Sequence, residues 1–203
     1  DVGKLPAVRR DEPSDDPEGR ASVTDLVDPK LKARLFPVGR LDADSTGLVL
    51  LTDDGELANR LTHPRYTVAK EYLVSVRGRL EEKDLTKLRQ GLLLTDQSTN
   101  APKGKVKRAA MEQIRIVRHE KDRHHGDRTR LSITLREGQN REIRRLLERR
   151  GVKVRRLKRV AIGTLRLNRL PAGQWRYLTQ REVEALKRSA GLKTTSARHP
   201  PGH

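Results

Sequence analysis

The chain has 203 residues, enough for one large domain or two small ones, and carries 45 Lys and Arg against 27 Asp and Glu, a formal net charge of +18. A polyanion best neutralises such a surface, and nucleic acid is the first candidate. The lack of cysteine excludes disulfides, thiolate catalysis and cysteine-based zinc sites, and there is neither a run of about 18 apolar residues nor a basic amphipathic helix with bulky aromatics to suit a membrane.

The aromatic residues are Phe36, Tyr66, Tyr72, Trp175 and Tyr177, too few for a binder that lays successive bases on a row of rings. No secretory signal opens the chain, which with the missing cysteines fits a reducing compartment, the cytoplasm or an organellar matrix. Because it begins with Asp rather than Met, it is expected to lack part of its native N-terminus.

In chain order, residues 1–30 mix Pro, Asp, Glu and Arg with little periodicity and read as a loop or an extended, partly irregular N-terminal arm, with one helical turn at 22–26. The ordered body is expected over 31–188. The unbroken apolar run Leu48 to Leu51, bounded by Gly47 and by Thr52-Asp53-Asp54-Gly55, suits a strand buried on both faces. Helical spacing of Leu57, Ala58 and Leu61 behind the capping residue Asp54 predicts a helix that stops before His63-Pro64.

Alternation of Tyr72, Val74 and Val76 predicts a strand over 70–77, followed by a helix over 81–90 that closes on Gly91. Further strands are expected at 111–118 and 130–135, joined through a polar connection containing His119, His124 and His125, and a helix over 140–150 ending at Gly151. Short strands at 152–157 and 164–167, a helix at 181–188 and a basic, disordered tail at 189–203 complete the reading. Strands and helices interleave without the regular alternation of a doubly wound sheet, so the expected class is α+β.

Gly39-Arg40-Leu41-Asp42-Ala43-Asp44-Ser45-Thr46-Gly47 lies just before the buried strand, which puts two carboxylates and an arginine at the mouth of a sheet on a rigid support. The same residues also suit an ordinary turn in which Asp and Ser satisfy backbone amides. A calcium loop is excluded: position twelve would be Asp53 rather than a bidentate Glu, Leu48 to Leu51 is strand-like, and no helix precedes. The three histidines lack cysteine partners and helical spacing, so no metal is assigned.

Gly39-Arg40-Leu41-Asp42 followed by Ser45, Gly47, the apolar run, Thr52 and Gly55 resembles the signature segment of the RsuA-type rRNA pseudouridine synthases. His63-Pro64, Lys70-Glu71-Tyr72-Leu73-Val74 and Gly91-Leu92-Leu93-Leu94-Thr95-Asp96 follow in family order. So do Glu137-Gly138-Gln139-Asn140-Arg141-Glu142-Ile143-Arg144-Arg145, Leu157-Lys158-Arg159-Val160-Ala161-Ile162-Gly163 and Leu170-Pro171-Ala172-Gly173-Gln174-Trp175-Arg176. Two features depart from the family pattern. The Lys-Pro-x-Gly opening is replaced by Gly3-Lys4-Leu5-Pro6-Ala7, and nothing reads as the small S4-type RNA-binding domain that many relatives carry upstream.

The resemblance implies a mixed, mainly antiparallel sheet flanked by helices, with two subdomains around one catalytic cleft. It implies isomerisation of a uridine in RNA, with rRNA the expected class, to pseudouridine without metal or organic cofactor, by a monomer. Asp42 would attack or otherwise assist departure of uracil, Tyr72 would pack on the displaced base, and Arg144 would pair with Asp42. Arg40, Arg141, Arg145, Lys158 and Arg159 are the candidate RNA contacts.

The residue chemistry agrees: a carboxylate in a pocket keeps its charge and orientation beside a guanidinium, and a uridine reached inside folded RNA must leave its stack. The rival reading is a catalytically silent RNA-binding ribosome-assembly factor on the same scaffold. A DNA-binding regulator would want a recognition helix, which the pattern lacks.

Overall fold

The computed structural model describes residues 6–10, 23–28, 30, 35–95, 106–121, 126–136 and 141–193, with side chains of 9, 10 and 107 left aside. Strand β1 (Pro6–Arg10) is followed by a 3-10 turn (Val23–Leu26), β2 (Phe36–Pro37), β3 (Thr46–Thr52), helix α1 (Gly55–Thr62) and β4 (Lys70–Arg77). Helix α2 (Glu82–Arg89), β5 (Leu92–Thr95), β6 (Val106–Ala109), β7 (Gln113–Glu120), β8 (Arg128–Leu135) and helix α3 (Glu142–Glu148) come next. The chain closes with β9 (Val154–Ile162), β10 (Leu165–Arg166), β11 (Trp175–Tyr177) and helix α4 (Gln180–Ser189).

The main sheet runs β11-β1-β3-β9-β4-β8-β7, with β2 beside β3 and β10 beside β9, while β5 and β6 form a separate ribbon. Among the described pairings only β3 with β9 is parallel. The class is α+β, as the sequence pattern indicates.

The apolar run of β3 is buried on both sides because two cores meet there. Leu48 and Leu50 pack with Leu57 and Leu61 of α1 and Val183 and Leu186 of α4, while Val49 and Leu51 pack with Val8 and Val27. A third core joins Val74 and Val76 of β4 and Leu131 and Ile133 of β8 to Leu85 of α2 and Ile143, Leu146 and Leu147 of α3. Each fully buried aliphatic side chain contributes roughly 1.5–3 kcal/mol, so these helices are held by their apolar stripes rather than by propensity.

Two expectations need correction. Residues 6–10 are not irregular: β1 lies inside the sheet, with Ala7 opposite Leu50 on one side and Arg176 on the other. Its Arg9 and Arg10 hid a strand whose Ala7 and Val8 are almost wholly buried. Strand β9 also runs on to Ile162 instead of ending at Leu157, because Lys158 and Arg159 take alternate sides of a central strand. The tail beyond 193, the stretch 96–105 and His124 and His125 lie outside the described residues; His119 Nδ1 is 3.3 Å from Thr129 Oγ1.

Candidate active site

Asp42 to Ser45 form a tight turn closed by the Ser45 amide donating to the Asp42 carbonyl at 3.0 Å. The turn delivers the chain into β3 at Gly47, whose φ of +111° and whose contact with β9 demand glycine: a Cβ there would stand 2.2 Å from the Arg159 carbonyl oxygen. That close approach is the start of the parallel pairing, Thr46 opposite Lys158 and Gly47 opposite Arg159. Arg159 is in turn opposite Tyr72 on β4. Gly47, Arg159 and Tyr72 therefore form one row across three strands, with Tyr72 about 10 Å from Gly47 at ordinary strand spacing.

From above, α3 brings two arginines down onto the turn. Arg141 donates from both terminal nitrogens to the Asp44 carboxylate at 2.9 Å each. Arg144, 8% exposed in its side chain, sets Nε 3.2 Å from Asp44 Oδ2 and donates from Nη2 to the Asp44 carbonyl at 2.8 Å. The hydrogen bond from Arg141, followed by the charges of Arg144 and Arg141, holds the Asp44 carboxyl below its usual range against the opposing effect of burial. Arg141 adopts φ +49° at the helix N-terminus, a left-handed conformation unusual for a side-chain-bearing residue and typical of sites where geometry outranks local comfort.

From below, Arg159 holds the other ends of the same segment. It is 3% exposed, and it donates from Nε to the Leu48 carbonyl at 2.8 Å and from Nη1 to the Arg40 carbonyl at 3.3 Å. The backbone around Asp42 is thus tied at 40, 44 and 48 by guanidiniums from two elements. Asp42 itself stays available: its side chain is 32% exposed and its Oδ2 lies 3.8 Å from Arg141 Nη1. A rigid backbone carrying an accessible carboxylate is what a nucleophile or proton acceptor requires.

Several candidates sit differently from the sequence expectation. Arg144 reaches Asp44 rather than Asp42, because the turn points the Asp44 side chain and carbonyl at α3. Arg159 is buried as a backbone clamp and has no surface from which to meet a phosphate. Arg145 turns away to donate to the Thr95 carbonyl of β5, and Lys158, opposite Leu73, belongs to the other side of the sheet. Arg40 is exposed, and Tyr72 is half-buried at the margin of the third core.

Two charged residues escaped the sequence reading. Glu142 is 4% exposed. Lys70 has its amine pushed down to about 8, first by burial and then by the charge of Arg159, against an opposing pull from Glu142. The signal for Lys70 was available, since a lysine two residues before Tyr72 shares its side of a strand.

The model of the family described as RNA pseudouridylate synthase matches residues 8–149. The chain belongs to that family. Its members resemble it over most of its length: it is 43% identical over 177 residues to an RNA pseudouridine synthase of Aquifex aeolicus, covering 87% of this chain and 65% of that protein. It is 41% identical over 181 residues to the ribosomal large subunit pseudouridine synthase B of Pseudomonas aeruginosa, covering 88% and 43% respectively.

The chain thus spans 65% and 43% of the length of these two relatives. Among solved family structures, a pseudouridylate synthase crystal structure superimposes with a TM-score of 0.69 at 28% identity, covering 90% of this chain and 73% of that one. The human RNA pseudouridylate synthase domain containing 1 shares the fold alone, with a TM-score of 0.53 at 11% identity. No helix among the described residues is long and apolar enough to cross a membrane.

Proposed function

We propose that this chain isomerises a specific uridine in rRNA to pseudouridine, with Asp42 as the catalytic carboxylate. The observation that carries the reading is the bracketing of Asp42 between clamped carbonyls while its own carboxylate stays open. In the proposed reaction the uridine leaves its stack and enters beside Tyr72, whose ring packs on the base. Asp42 assists cleavage of the N1–C1′ bond, the uracil turns while held, and C5 bonds to C1′. C5 then loses its proton and N1 gains one, so nothing is consumed. Arg144 and Arg141 act through Asp44 by fixing the turn that aims Asp42. The large-subunit relatives support rRNA as the substrate class.

The test is a carbodiimide primer-extension map of pseudouridine in rRNA from cells with and without the protein. Loss of one stop, restored by the natural chain and not by Asp42→Asn, is the expected result. An unchanged map, or full restoration by Asp42→Asn, overturns the proposal. The Asp42→Asn protein should keep its salt-dependent RNA binding, since it removes one carboxylate from a surface whose affinity comes from cations.

A further inference from the structure

On β4, Tyr72, Val74 and Val76 point toward α2 and α3, so Glu71, Leu73 and Ser75 point to the opposite side of the sheet. Helices α1 and α4 cover that rear side over Leu48 and Leu50. Among the described residues no helix covers it over β4, β7, β8 and the first half of β9, where its side chains are predominantly cationic. One cross-strand row reads Arg118, Arg130, Ser75, Arg156, each directly opposite the next; the neighbouring row reads Arg115, Ser132, Leu73, Lys158. Arg166 of β10, opposite Ala161 and so at the end of the next row, which continues through Glu71 and Thr134, lines with Arg115 a cavity of about 390 Å³.

Like charges directly opposite on a sheet oppose folding. Two carboxylates offset them in part: Glu120 meets Arg118 at 2.5 Å and Arg130 at 2.8 Å, and Glu71 meets Arg166 and, at 3.8 Å, Arg115. Among these described residues six cations stand with two carboxylates, and Arg115, Arg118 and Arg166 are each more than half exposed. Fold stability supplies no reason for such rows, whereas a polyanion laid across them does. None of the aromatic rings lies on the outward positions of these strands, so there is no aromatic platform for a run of unpaired bases, and the rows of cations suit the phosphates of a duplex.

We infer that the rear of the sheet is a second RNA surface, which grips the phosphate backbone of a duplex segment outside the candidate active site. The inference rests on the reading that this chain acts on RNA, and not on the chemistry assigned to Asp42. An enzyme held on both sides of its sheet engages its target within a folded RNA rather than as an isolated hairpin.

The test compares two triple variants of the full chain. One is Arg118→Gln, Arg130→Gln, Arg156→Gln; the other, Lys83→Gln, Lys87→Gln, Arg188→Gln, removes the same charge from elsewhere. The probe is a 20-base-pair RNA duplex of arbitrary sequence, titrated at several salt concentrations. The rear variant should bind at least about tenfold more weakly with a salt slope reduced by about 2–3, and the control should change by less than about threefold.

Equal weakening of both variants, or of neither, overturns the inference. So does a rear variant that keeps duplex affinity but loses binding to phosphatidylserine vesicles. The single reversal Arg156→Glu repeats the comparison with one solvent-facing change, should the triple variant fold poorly. Retained duplex loss in the absence of any pseudouridine activity would leave this surface standing and the catalytic reading fallen; normal conversion with unchanged duplex binding would do the reverse.

Discussion

At Asp44 two guanidiniums converge on one carboxylate and its carbonyl, while Asp42, two residues earlier, is left open. Replacing Asp44 by Ala should remove both contacts of Arg141 and the carboxylate contact of the buried Arg144, loosening the turn from α3. Conversion in single-turnover assays is expected to fall about 100-fold, the scale of a misplacement of about 1 Å, with RNA binding retained. The segment around Asp42 was legible because its residues form a long specific string. Asp44 was not, because an Asp in a turn more commonly serves a backbone amide; only the approach of α3 distinguishes the two.

Lys70 gives a pH test at the same scale. Its folded pKa, near 8, is below its ordinary value of 10.5, so the unfolded chain binds more protons between those values. Its penalty is fully present below pH 8 and is relieved as pH rises toward 10.5, by up to about 1.4 kcal/mol per unit. Urea melts at pH 7.5 and pH 10 should therefore show the natural chain gaining stability relative to Lys70→Met. A constant difference between the two would contradict the burial of a charged amine beside Arg159.

Among the elements, α4 carries the clearest local design. Thr179 caps its first turn, and the Thr179 amide donates in return to the Glu182 carboxylate. The same carboxylate takes a forked pair of hydrogen bonds from Arg176 of β11 at 2.8 and 2.6 Å. Arg176 and the cap hold Glu182 down to about 2, so its contribution is present above pH 4.5 and lost as pH falls toward 2. Glu182→Ala should cost about 1–2 kcal/mol in denaturant melts at pH 7 and much less at pH 2.5.

Helices α1, α2 and α4 and strand β4 were readable because their apolar spacing matches one period throughout. Strand β1 and the second half of β9 were not. Both carry arginines or lysines where a central strand ordinarily shows aliphatic residues, and only long-range pairing explains their place.

For the whole molecule, β1 joins β11 to β3, although its sequence gives little sign of a strand. Removing residues 1–10 should expose the edge of β3 and uncover Val49 and Leu51, lowering the thermal midpoint by at least about 5 °C; an unchanged midpoint would mean that the strand is dispensable. The α+β class followed from element order, whereas the sheet order did not, since nothing local tells β9 to lie between β3 and β4.

The bond from Arg159 to the Leu48 carbonyl joins residues 111 apart. During synthesis at about 5–20 residues per second, Asp42 is made on the order of ten seconds before the arginine that clamps its backbone. A growing or prematurely ended chain therefore holds its proposed reactive carboxylate on an unfixed turn. On the proposed reaction, competence arrives only when β9 is inserted, and an incomplete copy would not convert a uridine.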